Sequence, residues 1–370
     1  TELTVKSYFT PTWRGPFTSE RSEANPGADR KEEEFARVMA LGLFDYLRKS
    51  FSGGFVVSLS GGADSAAMVV LVKLMADLAI ADLGENVFRK KLAHISFDER
   101  PLLEQLLSCV YQSTRNSSET TRSAAETIAA AVGASYQEWD VDQLVEDYRS
   151  MVERGIGRKL SWEKDDLALQ NIQARVRAPG VWMLTNIQNA LLLATSNRSE
   201  AAVGYATMDG DTAGGLSPIS GIDKAFLRQW LRWMENEGIL PEIPPIPALH
   251  VINVQAPTAE LRPGEEKQTD ESDLMPYPIL DAIEKLAIRD KKLPVEVWEL
   301  MCETHGEYNR EVLRIWVVKF FRLWSRNQWK RERYAPGFHV DDKNLDPKTW
   351  CRFPILSSGF RDEIRDLENR

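Results

Sequence analysis

Chemistry in this 370-residue chain is most concentrated at Ser60-Gly61-Gly62-Ala63-Asp64-Ser65. Glycines allow a tight turn and a close approach of the backbone to an anion. Successive N–H groups in such a turn form a cradle, and a following helix aims its positive end at the same place. Ser60 and Ser65 add hydroxyl donors, so a phosphate or pyrophosphate is the natural guest. The Gly-Lys-Ser/Thr ending of the common P-loop is absent. Asp64 stands where that motif would place cationic help, and a carboxylate beside a phosphate makes sense if it holds a magnesium ion. A plain strand-to-helix turn with Asp64 as a cap is the alternative. The strand before it and the helix after it favour the anion.

Further polar groups recur downstream. Thr195-Ser196-Asn197-Arg198-Ser199-Glu200 follows an apolar run, which makes Glu200 a candidate second metal carboxylate. Its simpler role is a first-turn helix carboxylate stabilised by the dipole. Lys224 opens a helix after the Gly221 turn and by itself reads as a surface lysine. Arg175 and Arg177 are two apart, so on one helix they diverge and only one can point into a given site. Arg115 lies just past a strand within Thr114-Arg115-Asn116-Ser117-Ser118. For both Arg175 and Arg115 a solvated face is the competing reading.

These groups need elements to hold them. Phe55-Val56-Val57-Ser58-Leu59 is a short β-branched run that reads as a buried strand. Further strands are expected at Leu107 to Tyr111, Ser135 to Val141 and Ala190 to Thr195. Helical spacing marks Lys31 to Lys49, Ala63 to Met75, Ser118 to Val132, Gln143 to Val152 and Ile222 to Glu237. Leu167 to Asn189 reads as one or two helices interrupted at Pro179-Gly180. Residues 80–107 read as an insertion with its own helix, and the glycine-rich 206–221 as a functional loop. Strands alternating with helices predict an α/β fold, doubly wound, with a mostly parallel sheet covered on both faces. Ligands of such folds sit at the carboxyl ends of the strands, where the turns after Leu59 and Leu193 fall. Residues 1–30 read as a linker or extended arm, 31–300 as the nucleotide domain, and 301–370 as a C-terminal helical extension with a basic tail. The stripe Trp316, Phe320, Leu323 and Trp324 reads as core or dimer interface.

Composition bounds the partners. The net charge is −9, which opposes broad attraction to nucleic acid. No run of about 18 apolar residues occurs, so no membrane partner is expected. Cys109, Cys302 and Cys351 are far apart and unpaired in spacing, which fits a reducing cytoplasm. Cys109 reads as a packed strand residue. No secretion leader is visible. The chain opens on Thr1, so a fragment or processed product is expected.

The glycine turn resembles the pyrophosphate loop of the ATP pyrophosphatase (PP-loop) superfamily. Asn171-Ile172-Gln173-Ala174-Arg175-Val176-Arg177 precedes Thr195-Ser196-Asn197-Arg198-Ser199-Glu200. Gly204-Tyr205-Ala206-Thr207, Gly210-Asp211 and Pro218-Ile219-Ser220-Gly221-Ile222-Asp223-Lys224 follow. This order is similar to that of NAD synthetase, from about Leu59 to Asp281. Pro257-Thr258-Ala259-Glu260-Leu261, Gln268-Thr269-Asp270-Glu271 and Pro276-Tyr277 extend it. Lys330-Arg331, Pro336-Gly337 and Arg352-Phe353-Pro354-Ile355 resemble the tail of glutamine-dependent members.

The resemblance implies a ligase that adenylates deamido-NAD with ATP and amidates it with ammonia. It implies magnesium on Asp64 and Glu200, with Asp64, Glu200 and Lys224 as the catalytic set. ATP would meet Ser60, Gly61, Gly62, Asp64, Ser65, Arg115, Thr195 and Lys224. Deamido-NAD would meet Asn171, Arg175 and Asp211. A homodimer is expected. Roughly 50 residues before Phe55 are too few for a glutaminase domain, so ammonia is expected from a glutaminase region missing here, or from solution. The loop at 256–276 is expected to close over the intermediate. Two departures stand out: Met208 occupies a position often held by Lys, and Ala194-Thr195-Ser196-Asn197 replaces Gly-Thr-Gly-Asn. The alternatives are a GMP synthetase-like amination, tRNA thiolation, or a non-catalytic nucleotide sensor. Sparse cysteines and the acidic charge disfavour thiolation.

Overall fold

The structure, a computed structural model, describes residues 30–239, 241–255, 261 and 270–370. The expected N-terminal arm, the Pro257–Glu260 match and Gln268-Thr269 lie outside the described residues.

The N-terminal two-thirds runs α1 (Arg30–Ser50), β1 (Phe55–Ser58), α2 (Ala63–Leu83), α3 (Glu85–Lys91), α4 (Leu102–Leu106), β2 (Leu107–Ser113), α5 (Glu119–Val132), β3 (Ser135–Asp140), α6 (Asp142–Ile156), α7 (Trp162–Arg175), α8 (Arg177–Ile187), β4 (Leu191–Leu193), α9 (Arg198–Val203) and α10 (Lys224–Asn236). Then come α11 (His250–Asn253), α12 (Asp270–Asp273), α13 (Tyr277–Glu284), α14 (Pro294–Thr304), α15 (Arg310–Arg326), α16 (Gln328–Arg331) and α17 (Arg361–Glu368).

Among the described residues the sheet has four strands, all parallel, in the order β3-β2-β1-β4, with Phe55 opposite both Leu107 and Leu191. Alternation along the strands divides their side chains between two faces. Phe55, Val57, Cys109 and Leu193 join the core built by α1, α2, α5 and α10. Val56, Val110 and Leu192 pack on Val181 of α8. Both faces are covered, as a parallel sheet requires. Helix α2 is apolar over most of its surface, interrupted by Asp64, the Lys73–Asp77 pair and Asp82, and lies largely buried against the sheet as a central helix does.

Strand order reverses between β1 and β4, so the chain opens a crevice at their carboxyl ends. The Ser60 turn leaves β1 there and the Thr195 turn leaves β4. The helix break expected at Pro179 falls earlier, at Val176. Pro179 then occupies the first turn of α8, where a missing N–H costs no helical bond.

A second core gathers α9, α13, α14, α15 and α17 around Tyr277, Leu280, Phe320, Phe321 and Trp324, drawing on helices on both sides of residue 300. The aromatic stripe of α15 is therefore core. Ala202 and Val203 of α9 belong to this cluster, so the C-terminal helices anchor the element that carries Glu200.

Candidate active site

Gly61 adopts φ +78°, and a Cβ there would run into the carbonyl oxygen of Thr121 in α5. Only glycine allows the chain to turn this tightly against α5. The turn is braced from within. Ser60 N donates to Ser65 Oγ at 3.2 Å, and the two hydroxyls lie 3.0 Å apart. Gly62, the residue before α2, provides no side-chain cap, and Ala63, Asp64 and Ser65 of the first turn of α2 line the crevice.

A cavity of about 530 Å³ opens there. Ser60, Gly62, Asp64, Ser65, Thr195, Glu200, Lys224, Asn171 and Asp211 all line it. Gly61 turns the loop but is not part of the wall. Two expected contacts are not brought in. Arg115 is exposed and pairs with Asp142 at 2.7 Å and Glu146 at 3.4 Å, because the start of α6 offers it carboxylates on the outer surface. Arg175 ends α7, is exposed, and donates to the Met208 carbonyl at 2.9 Å. The break at Val176 reorients the next turn, so Arg177 is the one that reaches the cavity wall.

At the centre, Lys224 Nζ joins both acids: it bonds Asp64 Oδ2 and reaches Glu200 Oε1 at 3.0 Å. Asn197 fixes the same pair. Its Nδ2 donates to Asp64 Oδ1 at 3.0 Å, while its Oδ1 caps α9 by accepting Glu200 N at 3.0 Å. Motif reading passed over Asn197, although its place just before a helix is a preferred capping position. Burial pushes the Glu200 carboxyl up to about 8 against the opposing pull of Lys224. Lys224 is held well above its ordinary range: burial alone would lower it, but Asp64 and Glu200 outweigh that. Two carboxylates that converge on one cation form a hard-oxygen donor set suited to magnesium, with the ammonium marking the point of convergence.

On the other wall, Asp211 Oδ1 accepts Thr207 N at 2.7 Å and Asn171 Oδ1 accepts the Thr207 hydroxyl at 3.0 Å. The surrounding protein raises the Asp211 carboxyl to about 6, although solvent in the cleft reaches it and weakens that push. Lys330 of α16 lines the cavity and donates to the Gly204 and Ala206 carbonyls at 2.7 and 2.9 Å. It supplies a cation close to where Met208 offers none. The basic pair Lys330-Arg331 was legible in the sequence; its reach into the crevice was not. Of the expected lid, Leu261 and Asp270 line the cavity, and the stretches 256–260 and 262–269 lie outside the described residues.

A sequence model of NAD synthase matches residues 36–333. The chain belongs to the NAD synthase family. It is 30% identical to the glutamine-dependent NAD(+) synthetase of Oryza sativa subsp. indica, over 92% of this chain and 50% of that protein. The Rhodobacter capsulatus protein of the same name is 33% identical over 90% and 52%. The crystal structure of a glutamine-dependent NAD(+) synthetase from Cytophaga hutchinsonii shares 48% identity at a TM-score of 0.79, covering 91% of this chain and 56% of that one. NMN synthetase from Francisella tularensis, 18% identical at a TM-score of 0.56, shares the fold over 81% of this chain and 95% of that one. This NAD synthase-family chain thus spans about half the length of the curated relatives it matches.

Proposed function

We propose that the chain adenylates the nicotinate carboxylate of deamido-NAD with ATP and then amidates it with ammonia, releasing NAD, AMP and pyrophosphate. The observation that carries this reading is the convergence of Asp64, Glu200 and Lys224 beside the Ser60–Ser65 turn, at the strand-order reversal. The turn and the first N–H groups of α2 take the β- and γ-phosphates. Asp64 and Glu200 would hold magnesium, which offsets the triphosphate charge when bound. Lys224 directs its ammonium at the same phosphates. A carboxylate oxygen of deamido-NAD attacks the α-phosphorus, and the bond to the bridging oxygen of the leaving diphosphate breaks. Ammonia then attacks the acyl carbon, AMP leaves with its oxygen, and the nitrogen sheds a proton. Position and preorganised charge do this work without a covalent enzyme intermediate.

In this reading Thr195 contacts the nucleotide, and Asn171 and Asp211 contact the dinucleotide. Lys330 serves deamido-NAD in place of the Lys missing at 208. Ammonia comes from a glutaminase domain or subunit, in keeping with relatives named as glutamine-dependent and twice this length. A homodimer is supported by exposed apolar side chains, Tyr148 and Met151 of α6 and Trp182 and Met183 of α8. Among the described residues no helix is long and apolar enough to cross a membrane, and the three cysteines are free. A cytoplasmic setting accords with both.

The test mixes the chain with ATP, magnesium, deamido-NAD and ammonium. NAD and AMP are expected in equal amounts, and glutamine alone is expected to yield little NAD. ADP and phosphate as products would defeat the reading. Binding without turnover would leave the nucleotide sensor in its place, and amination of xanthosine monophosphate would favour the GMP synthetase-like alternative.

A further inference from the structure

Helix α10 begins at Lys224, the residue that joins the two acids, and its N-terminus is buried. A buried helix end must find acceptors for its first N–H groups. The residue in the capping position, Asp223, makes no side-chain cap. Its carboxylate is drawn away by Arg198 Nε at 2.8 Å and by Lys343 Nζ at 2.6 and 2.7 Å. The caps come from distant helices. Ser199 of α9 accepts Lys224 N on its hydroxyl oxygen at 2.8 Å. That hydroxyl donates to Asp281 Oδ1 of α13, and Asp281 Oδ2 accepts Ala225 N at 3.2 Å. Ser199 is fully buried and Asp281 nearly so.

We infer that Ser199 and Asp281 are positioning residues: together they fix the first turn of α10 so that Lys224 Nζ meets Asp64 and Glu200. Ser199 directly precedes Glu200, so one hydroxyl ties the acid-bearing helix to the lysine-bearing one. Asp281 transmits the placement of the second core to both. The acidic oxygens of Asp223, Asp281 and Glu284 lie within 4.8 Å of one another, but Arg198 and Lys343 stand among them as counter-charges, so the cluster braces α10 without a metal.

This inference rests on the proposed reaction only for its turnover readout. The experiment compares the wild-type chain with Ser199→Ala, Asp281→Ala, Asp281→Asn and Asp341→Asn. Each is measured by thermal melting, by Mg-ATP titration calorimetry, and by ammonia-dependent NAD formation. Asp341 grips Arg198 at 2.6 and 2.7 Å but touches neither Lys224 nor Ser199, so Asp341→Asn is expected to lower the melting temperature and spare affinity and kcat. Ser199→Ala and Asp281→Ala are expected to weaken Mg-ATP and lower kcat, each by about 10- to 100-fold, the scale of a misplacement near 1 Å. KM for deamido-NAD is expected to stay within about twofold. Asp281→Asn keeps an acceptor for Ala225 N and is expected to recover most of the loss. Wild-type affinity and kcat in Ser199→Ala and Asp281→Ala would overturn the inference. So would equal losses in Asp341→Asn at a matched drop in melting temperature. A wild-type chain that makes no NAD would sink the reaction, while the calorimetry would still decide the positioning.

Discussion

Lys224→Met removes the one ammonium that Asp64 and Glu200 share. The lysine side chain is 4% exposed, with Glu200 at 10% and Asp64 at 18%, so water screens the trio poorly. Both carboxylates sit within hydrogen-bond reach of one nitrogen, which places them about 5 Å apart. At an effective dielectric near 20, their uncovered repulsion is about 3 kcal/mol. Breaking a buried pair by deleting one partner costs about 3–5 kcal/mol, in the same range. At roughly 2 °C per kcal/mol, the metal-free variant should melt about 6–10 °C below wild type. The escape route is a proton on Glu200, whose carboxyl already lies near 8 and is pushed higher still once the opposing pull of Lys224 is gone, so the loss should be small at pH 7 and grow as the pH rises past 8. Millimolar magnesium should restore much of it, because a divalent cation replaces the lost charge between the same oxygens. Wild type should gain less, since Lys224 competes for them. The assay is a pair of melting curves at pH 9, in EDTA and in magnesium. A variant that melts with wild type in EDTA, or gains no more from magnesium than wild type does, would refute the reasoning.

Four other outcomes follow from the same geometry. Gly61→Ala forces a Cβ against the Thr121 carbonyl at positive φ, and should cost on the order of 2–3 kcal/mol together with nucleotide affinity, read by melting and ATP titration. Lys330→Ala should raise KM for deamido-NAD about tenfold with little change for ATP, read by steady-state kinetics. Arg115→Ala should leave KM for ATP within about twofold, since its partners Asp142 and Glu146 lie outside the cavity and an exposed pair contributes about 1 kcal/mol or less. Glu200 binds its proton more tightly folded than unfolded, so its contribution to stability is complete below about 4.5 and is lost as pH rises through about 8. Melts in EDTA across that span should show the decline, and Glu200→Gln should flatten it.

All four strands, the glycine turn and both magnesium candidates were legible in the sequence. The signals are local: a β-branched run for β1, an apolar run for β4, a glycine pair at a strand end, and for Glu200 a polar turn just past a strand. The acids of greatest interest, Asp64 and Glu200, were named from that local context, and the cavity holds both. Arginine was harder. The fork between Arg175 and Arg177 was visible as a two-residue spacing, but its outcome depended on where α7 ends. Arg115 sits beside the right loop yet faces outward, because the nearest carboxylates lie on α6.

What the sequence by itself determined is the class of the strands and of most helices up to Glu237 and the chemical character of the turns between them, since periodicity, glycine and capping act over a few residues; the helices of the second core, apart from α15, were not read from it. What only the tertiary structure decided is which turns meet. Asn197 spanning Asp64 and Glu200, Lys330 entering from the C-terminal end, and Ser199 with Asp281 closing the start of α10 all join residues far apart in the chain. Such contacts are fixed by the packing of the two cores and by the need of buried polar groups for partners, and neither leaves a trace in local spacing.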